Sequence, residues 1–195
     1  MGYELAVIGA SWGGLRALSH ILPALPKDFS IPIVIVQHRS ADSPRDAMSA
    51  VVGSASSLPV RDVEDKDPIE AGHVYLAPAD YHLIVEPGHF ALSTEAGVDF
   101  ARPSVDVMFE TAADSYAESL IAVILTGLNA DGSLGLVAVK RGGGHVIVQH
   151  PDSAERPGMP TAAIETGLVD EILPLGDIAG ALVRLAAGRV EDSMR

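Results

Sequence analysis

Two rhythms of apolar positions alternate along this chain. Short, mostly apolar stretches lie at residues 4–9, 31–37, 120–125 and 145–149. They are rich in Val, Ile and Leu and end at Gly, Pro or polar turns, as strands buried on both faces do. Between them the spacing changes to three and four. Leu15, Leu18, Ile21 with Leu22, and Leu25 predict a helix closed by Pro23 and Pro26. Val105, Met108, Phe109, Ala112 and Tyr116 predict another, with Ser104 as its N-cap and Asp106 favourably placed in its first turn.

Shorter signals fill the rest. Ser40 to Ser43 offer caps for a helix running to about Val52. Val60–Val63, Val74–Leu76, Leu83–Glu86 and Phe90–Ser93 are strand candidates, and Pro87-Gly88 is a hairpin turn signal between the last two. This middle region reads as an antiparallel excursion from the main sheet. A helix follows Asp131-Gly132 and ends at Gly142 to Gly144. Another runs from about Thr161 to Glu165, Val169 to Leu173 is a strand, and Asp177 to Ala187 a closing helix. Strands alternating with helices predict an α/β fold: a doubly wound, mostly parallel sheet, helices on both faces, and an antiparallel hairpin excursion, a Rossmann-like three-layer arrangement. Residues 1–190 read as a single domain and 191–195 as a frayed tail.

Composition removes whole classes of function. The 195 residues contain no cysteine, so a disulfide framework and a thiolate metal site are both excluded. A formal charge of −13 disfavours nucleic acid and anionic membrane surfaces as partners. No apolar run approaches the roughly 18–20 residues of a membrane span, and the N-terminus carries no signal-peptide pattern. No cofactor and no metal site is indicated. His20 reads as an exposed helix residue. His73, His82 and His89 lack metal-ligand spacing, and the acidic stretch from Asp62 to Glu70 reads as a solvated loop.

In parallel α/β sheets, ligands bind beyond the carboxyl ends of the strands. Ser11, His38 and Asp131 all fall just beyond such ends. Ser11 lies in Gly9-Ala10-Ser11-Trp12-Gly13, which fits the G-x-S-x-G turn that presents a nucleophile between strand and helix. The same stretch also fits a serine helix cap. It is close to the dinucleotide fingerprint too, but the middle glycine is Ser11 and the second strand ends Gln37-His38-Arg39 rather than in an acid. His38, on the strand expected beside the first, has the chemistry of a general base, and Asp131 that of a carboxylate fixing its tautomer. Trp12 reads as cleft wall more readily than as core.

Six blocks carry a family resemblance. They are Ile8-Gly9-Ala10-Ser11-x-Gly13-Gly14, Val36-Gln37-His38, Val74 to Pro78 with His82-Leu83, Arg102 to Asp106, Leu125-Thr126-Gly127-x-x-x-Asp131-Gly132, and Gly158-Met159-Pro160 with Ala162-Ala163. Nearly the whole chain resembles the catalytic domain of the CheB-type protein-glutamate methylesterases. The resemblance implies a Ser11–His38–Asp131 triad with backbone N–H groups of Leu128 and Trp12 around the oxyanion. It implies a cytoplasmic enzyme that hydrolyses glutamate methyl esters on chemoreceptor helices, with glutamine deamidation as a second activity of some members. Departures from the family pattern are Trp12 where threonine is usual, Arg39-Ser40 after Gln37-His38, Leu128-Asn129 in place of Met-Gly, and His150 in place of an acid. Family members commonly carry an N-terminal receiver domain. Here the catalytic strand begins almost at once, so either a stand-alone enzyme controlled in trans or a piece of a longer protein is expected. The rival readings are a small-molecule carboxylesterase on the same residues and a non-catalytic binding module of the same fold.

Overall fold

The computed structural model describes residues 2–44, 46–98 and 101–188; the expected frayed tail at 191–195 lies outside the described residues. The apolar stretches form strands β1 (Leu5–Ala10), β2 (Ile33–Gln37), β7 (Leu120–Ile124) and β8 (His145–Gln149) at the centre of a seven-stranded sheet. With β3 (Val60–Asp62), β4 (Val74–Leu76) and β9 (Glu171–Leu173), the order is β3-β4-β2-β1-β7-β8-β9, and every pairing is parallel.

This corrects the reading of residues 60–93. Only β5 (His82–Glu86) and β6 (His89–Ser93) form an antiparallel hairpin, whereas β3 and β4 extend the main sheet in parallel. The helix expected from Ser40 to Ser43 to about Val52 is present between β2 and β3 and begins at Ala47. That helix is α2 (Ala47–Ala55). The acidic stretch is likewise not wholly solvated: Asp62 is part of β3 and bridges Arg39 at 3.0 Å.

Alternate residues of each strand feed two separate cores. Val7, Val34, Val36, Ala122 and Val148 meet α3 (Val105–Tyr116), α4 (Gly135–Arg141) and α5 (Gly158–Glu165) on one face. Ile8, Ile33, Ile35, Val123 and Ile147 meet α1 (Gly14–Ile21), α2 and α6 (Leu175–Gly188) on the other. The β5–β6 hairpin packs on α3, with Leu83, Val85 and Phe90 in the first core.

The sheet winds outward in both directions from the β1–β7 junction. Chain leaving β1 turns to one face through α1, and chain leaving β7 turns to the other through α4. A crevice opens where the two loops part. Close packing deepens it: Val105 rides directly over Gly9, where an added Cβ would lie 2.3 Å from its Cγ1. A side chain at position 9 would push the N-terminus of α3 away from the carboxyl edge.

Candidate active site

Ser11 continues β1 by one residue beyond Ala10, and His38 continues β2 by one residue beyond Gln37. Ala10 and Gln37 are register partners, and the His38 amide donates to the Ala10 carbonyl at 3.0 Å. Parallel pairing therefore sets Ser11 and His38 side by side. The buried Gln37 carboxamide ties them further. Its Nε2 donates to the Ser11 carbonyl at 2.7 Å and to the His38 carbonyl at 3.0 Å.

His38 Nε2 lies 2.6 Å from Asp131 Oδ2, with side-chain exposures of 14% and 1%. An ionised carboxylate only accepts, so Nε2 carries the hydrogen and Nδ1 is left as the acceptor. Asp131 is held by a cradle at the start of α3. Val105 N–H donates to Oδ2 at 2.8 Å, while Asp106 N–H and Ser104 Oγ donate to Oδ1, each at 3.0 Å. Burial pushes the Asp131 carboxyl up, but the His38 contact and these helix-terminal amides outweigh it and hold it below the usual carboxylate range. Asp106 moves the other way, pushed up to about 6 by burial and by the neighbouring Asp131 charge, against a bond from the Gly135 amide.

His82, bland in the sequence, supports this cradle. Buried, it accepts from the Ser104 amide at Nδ1 (3.3 Å) and donates from Nε2 to the Ala96 carbonyl (3.1 Å).

The other side of Ser11 is built from main chain. Gly127 presses so close that an added Cβ would lie 2.9 Å from Ser11 Cβ and 2.0 Å from Met159 Sδ. The Gly127 amide donates to Arg156 O (2.9 Å), and Met159 N–H donates to Gly127 O (3.0 Å). Gly158 lies against Leu128, where a Cβ would fall 2.4 Å from its carbonyl oxygen. Thus the Gly158-Met159-Pro160 block props the Thr126–Leu128 loop against the serine. Thr126 adds a bond from Oγ1 to Trp12 O at 2.9 Å. Among the described residues, the amides of Trp12 and Leu128 and the Ser11 hydroxyl donate to no protein acceptor.

Trp12 is neither core nor wall of the groove beside His38. It is 56% exposed, its indole Nε1 donates to Glu155 Oε1 at 3.0 Å, and the Arg156 guanidinium lies 5.7 Å from its ring centroid. The groove, about 590 Å³, is bounded by His38, Arg39, Ser40, Asp80, Arg102 and Asn129 among others. A larger hollow of about 670 Å³ lies beyond Arg39 and is walled by acids including Asp42, Asp62 and Glu64. Arg39 separates the two, pinned to Asp62 and to the Ala77 carbonyl. Among the described residues, no group of three or more His, Asp or Glu is placed to hold a metal ion, and no helix is long and apolar enough to cross a membrane.

Gln37, Gln149, Glu155 and Arg156 are site-building residues with no role in the sequence reading, and Ser104, expected only as the N-cap of α3, also donates to Asp131. Gln149 accepts the Thr126 amide at 2.8 Å. Of the first four, Gln37 alone belongs to a block that carries the resemblance.

Fold and site together define a doubly wound α/β protein with Ser, His and Asp gathered at its switch point. The chain belongs to the CheB methylesterase family, whose pattern it matches over residues 6–182, and is a hydrolase of carboxylic esters. It is 45% identical to a Leptospira interrogans chain named for protein-glutamate methylesterase and protein-glutamine glutaminase activities, over 98% of this chain and 99% of that one. It is 41% identical to protein-glutamate methylesterase/protein-glutamine glutaminase 2 of Anaeromyxobacter dehalogenans, over 93% of this chain and 53% of that longer protein. The crystal structure of the Thermotoga maritima CheB methylesterase catalytic domain superposes with a TM-score of 0.89 at 38% identity, covering 95% of this chain and all of that domain.

Proposed function

We propose that Ser11 is the nucleophile, His38 its general base and Asp131 the carboxylate that orients His38 and stabilises the imidazolium. The substrate is a glutamate γ-methyl ester on the cytoplasmic helices of a chemoreceptor or receptor-like protein, and residues 1–190 act as one catalytic domain. The observation that carries this reading is the 2.6 Å His38–Asp131 contact at the end of the strand registered beside Ser11.

His38 takes the Ser11 proton through Nδ1 as Oγ attacks the ester carbonyl. The Trp12 and Leu128 amides receive the oxyanion; one such donor contributes about 3 kcal/mol in related sites. The tetrahedral intermediate collapses, His38 returns the proton to the leaving methoxide, and methanol departs. Water, deprotonated by His38, then attacks the acyl-enzyme and frees the glutamate carboxylate and Ser11. A glutamine side chain would follow the same path with ammonia as leaving group. The place of action is the cytoplasm, and a receiver domain supplied in trans is the proposed regulator.

The test is methanol release from methylated chemoreceptor membranes. Ser11→Ala is expected to lower the rate by on the order of a millionfold while leaving the circular dichroism spectrum unchanged. Release by this variant at near wild-type rate refutes the assignment. Turnover of simple esters with none from receptor membranes replaces the proposed substrate with a small-molecule ester.

A further inference from the structure

Trp12 and the groove beside His38 lie on opposite sides of Ser11. The groove opens on the β2 side, whereas the indole reaches over Gly13 toward Glu155 and Arg156, in the segment that follows β8. In the sheet order β2-β1-β7-β8, the serine stands between them. Gly13 makes the reach possible: its φ of +81° turns the chain sharply, and an added Cβ would lie 2.8 Å from Glu155 Cβ.

A tryptophan 56% exposed is costly to leave in water without a partner, yet this one is fixed in place. The Glu155 carboxylate holds its N–H and the Arg156 guanidinium covers its ring, so little rotamer freedom remains to be lost on binding. Leu128, 61% exposed on the loop that touches Ser11, adds a second apolar surface. Both belong to the segments whose amides are the proposed oxyanion donors.

We infer that Trp12, with Leu128, is a specificity subsite that takes an apolar side chain of the substrate helix next to the esterified glutamate. This rests on the proposed function. Strands in a sheet are about 4.8 Å apart, so the step from β1 toward β8 is about 10 Å. A helix rises about 1.5 Å per residue, so the apolar side chain falls one to two turns from the glutamate.

The test uses helical peptides with one γ-methyl glutamate and either Leu or Ala one and two turns away. Wild type is expected to favour the Leu peptide about tenfold in kcat/KM, chiefly through KM. Trp12→Ala is expected to abolish the preference. The double variant Glu155→Ala/Arg156→Ala, which frees the indole, is expected to reduce it. Equal turnover of both peptides by wild type, or a preference that survives in Trp12→Ala, overturns the inference.

A second readout is independent of catalysis. Trp12 is the sole tryptophan of the chain, so intrinsic fluorescence reports on it alone. In Ser11→Ala, titration with uncleaved glutamine-bearing peptides is expected to shift the emission to the blue with the Leu peptide and to leave it unchanged with the Ala peptide. An unmoved emission with bound Leu peptide, or no binding of it, overturns the inference. Loss of methanol release from every ester, with the fluorescence shift retained, brings down the proposed reaction and leaves the subsite standing.

Discussion

The two sides of Ser11 are built on opposite principles. Toward α3, the buried carboxylate is engaged on both oxygens: Asp131 accepts from His38, Ser104, Val105 and Asp106 with almost no exposure. Toward the Thr126–Leu128 loop, amides stand without protein acceptors among the described residues, and Trp12 and Leu128 reach into solvent. The buried Asp131 carboxylate is bonded through both oxygens. Donors suited to charge that exists only during reaction are left open. The first side fixes the tautomer of His38, and the second presents unpaired N–H groups at the open edge of the site.

The comparison breaks most severely at its buried end. Asp131→Asn keeps the size of the side chain but offers an amide where His38 Nε2–H needs an acceptor, favouring the wrong tautomer. A fall in kcat of about 10⁴ is expected from steady-state methanol release. Next is Gly158→Ala, whose methyl would meet the Leu128 carbonyl and displace the Thr126–Leu128 loop proposed to hold the oxyanion. Its expected cost is about 10² to 10³ in kcat with a smaller change in KM, read from the same assay.

Gln37→Leu removes both bonds that join the Ser11 and His38 carbonyls. Urea unfolding is expected to show a loss of about 2 kcal/mol for the stranded carbonyls. The gentlest probe is pH. Asp106 holds its proton up to about 6 in the folded chain, whereas the unfolded chain releases it near 3.8. Stability from this group therefore falls as pH rises through that window. Relative to wild type, Asp106→Asn is expected to gain stability between pH 4 and 6, visible in Tm. Asp131 has the opposite sign: its contribution is present above the ordinary carboxylate value and fades as pH falls through its depressed one.

The central strands were legible because burial on both faces leaves mostly apolar runs, as at 120–125 and 145–149. The three-residue strands β3 and β4 were visible as strands but not as parallel ones, since so short an apolar pattern does not show which neighbour a strand pairs with or in which direction. At the site, Ser11 and His38 could be placed together from strand order alone. The cradle around Asp131 could not, because it joins residues 25 to 27 positions apart through backbone amides that carry no residue signature. The anchoring of Trp12 was not legible for a related reason. Its partner Glu155 lies 143 residues away, and exposure of a tryptophan leaves no mark in a local pattern.

The cradle and the loop share one property with consequences for inheritance. Most of their contacts run through main-chain atoms: the amides of Val105 and Asp106, the Gly127–Arg156 and Met159–Gly127 bonds. Main-chain contacts are indifferent to the letter of the genetic text at their own positions. The geometry therefore depends on the glycines that permit close approach, at Gly9, Gly127 and Gly158, and not on the exposed side chains of Trp12 and Leu128. A substitution at either exposed position is expected to leave the main-chain framework around Ser11 in place.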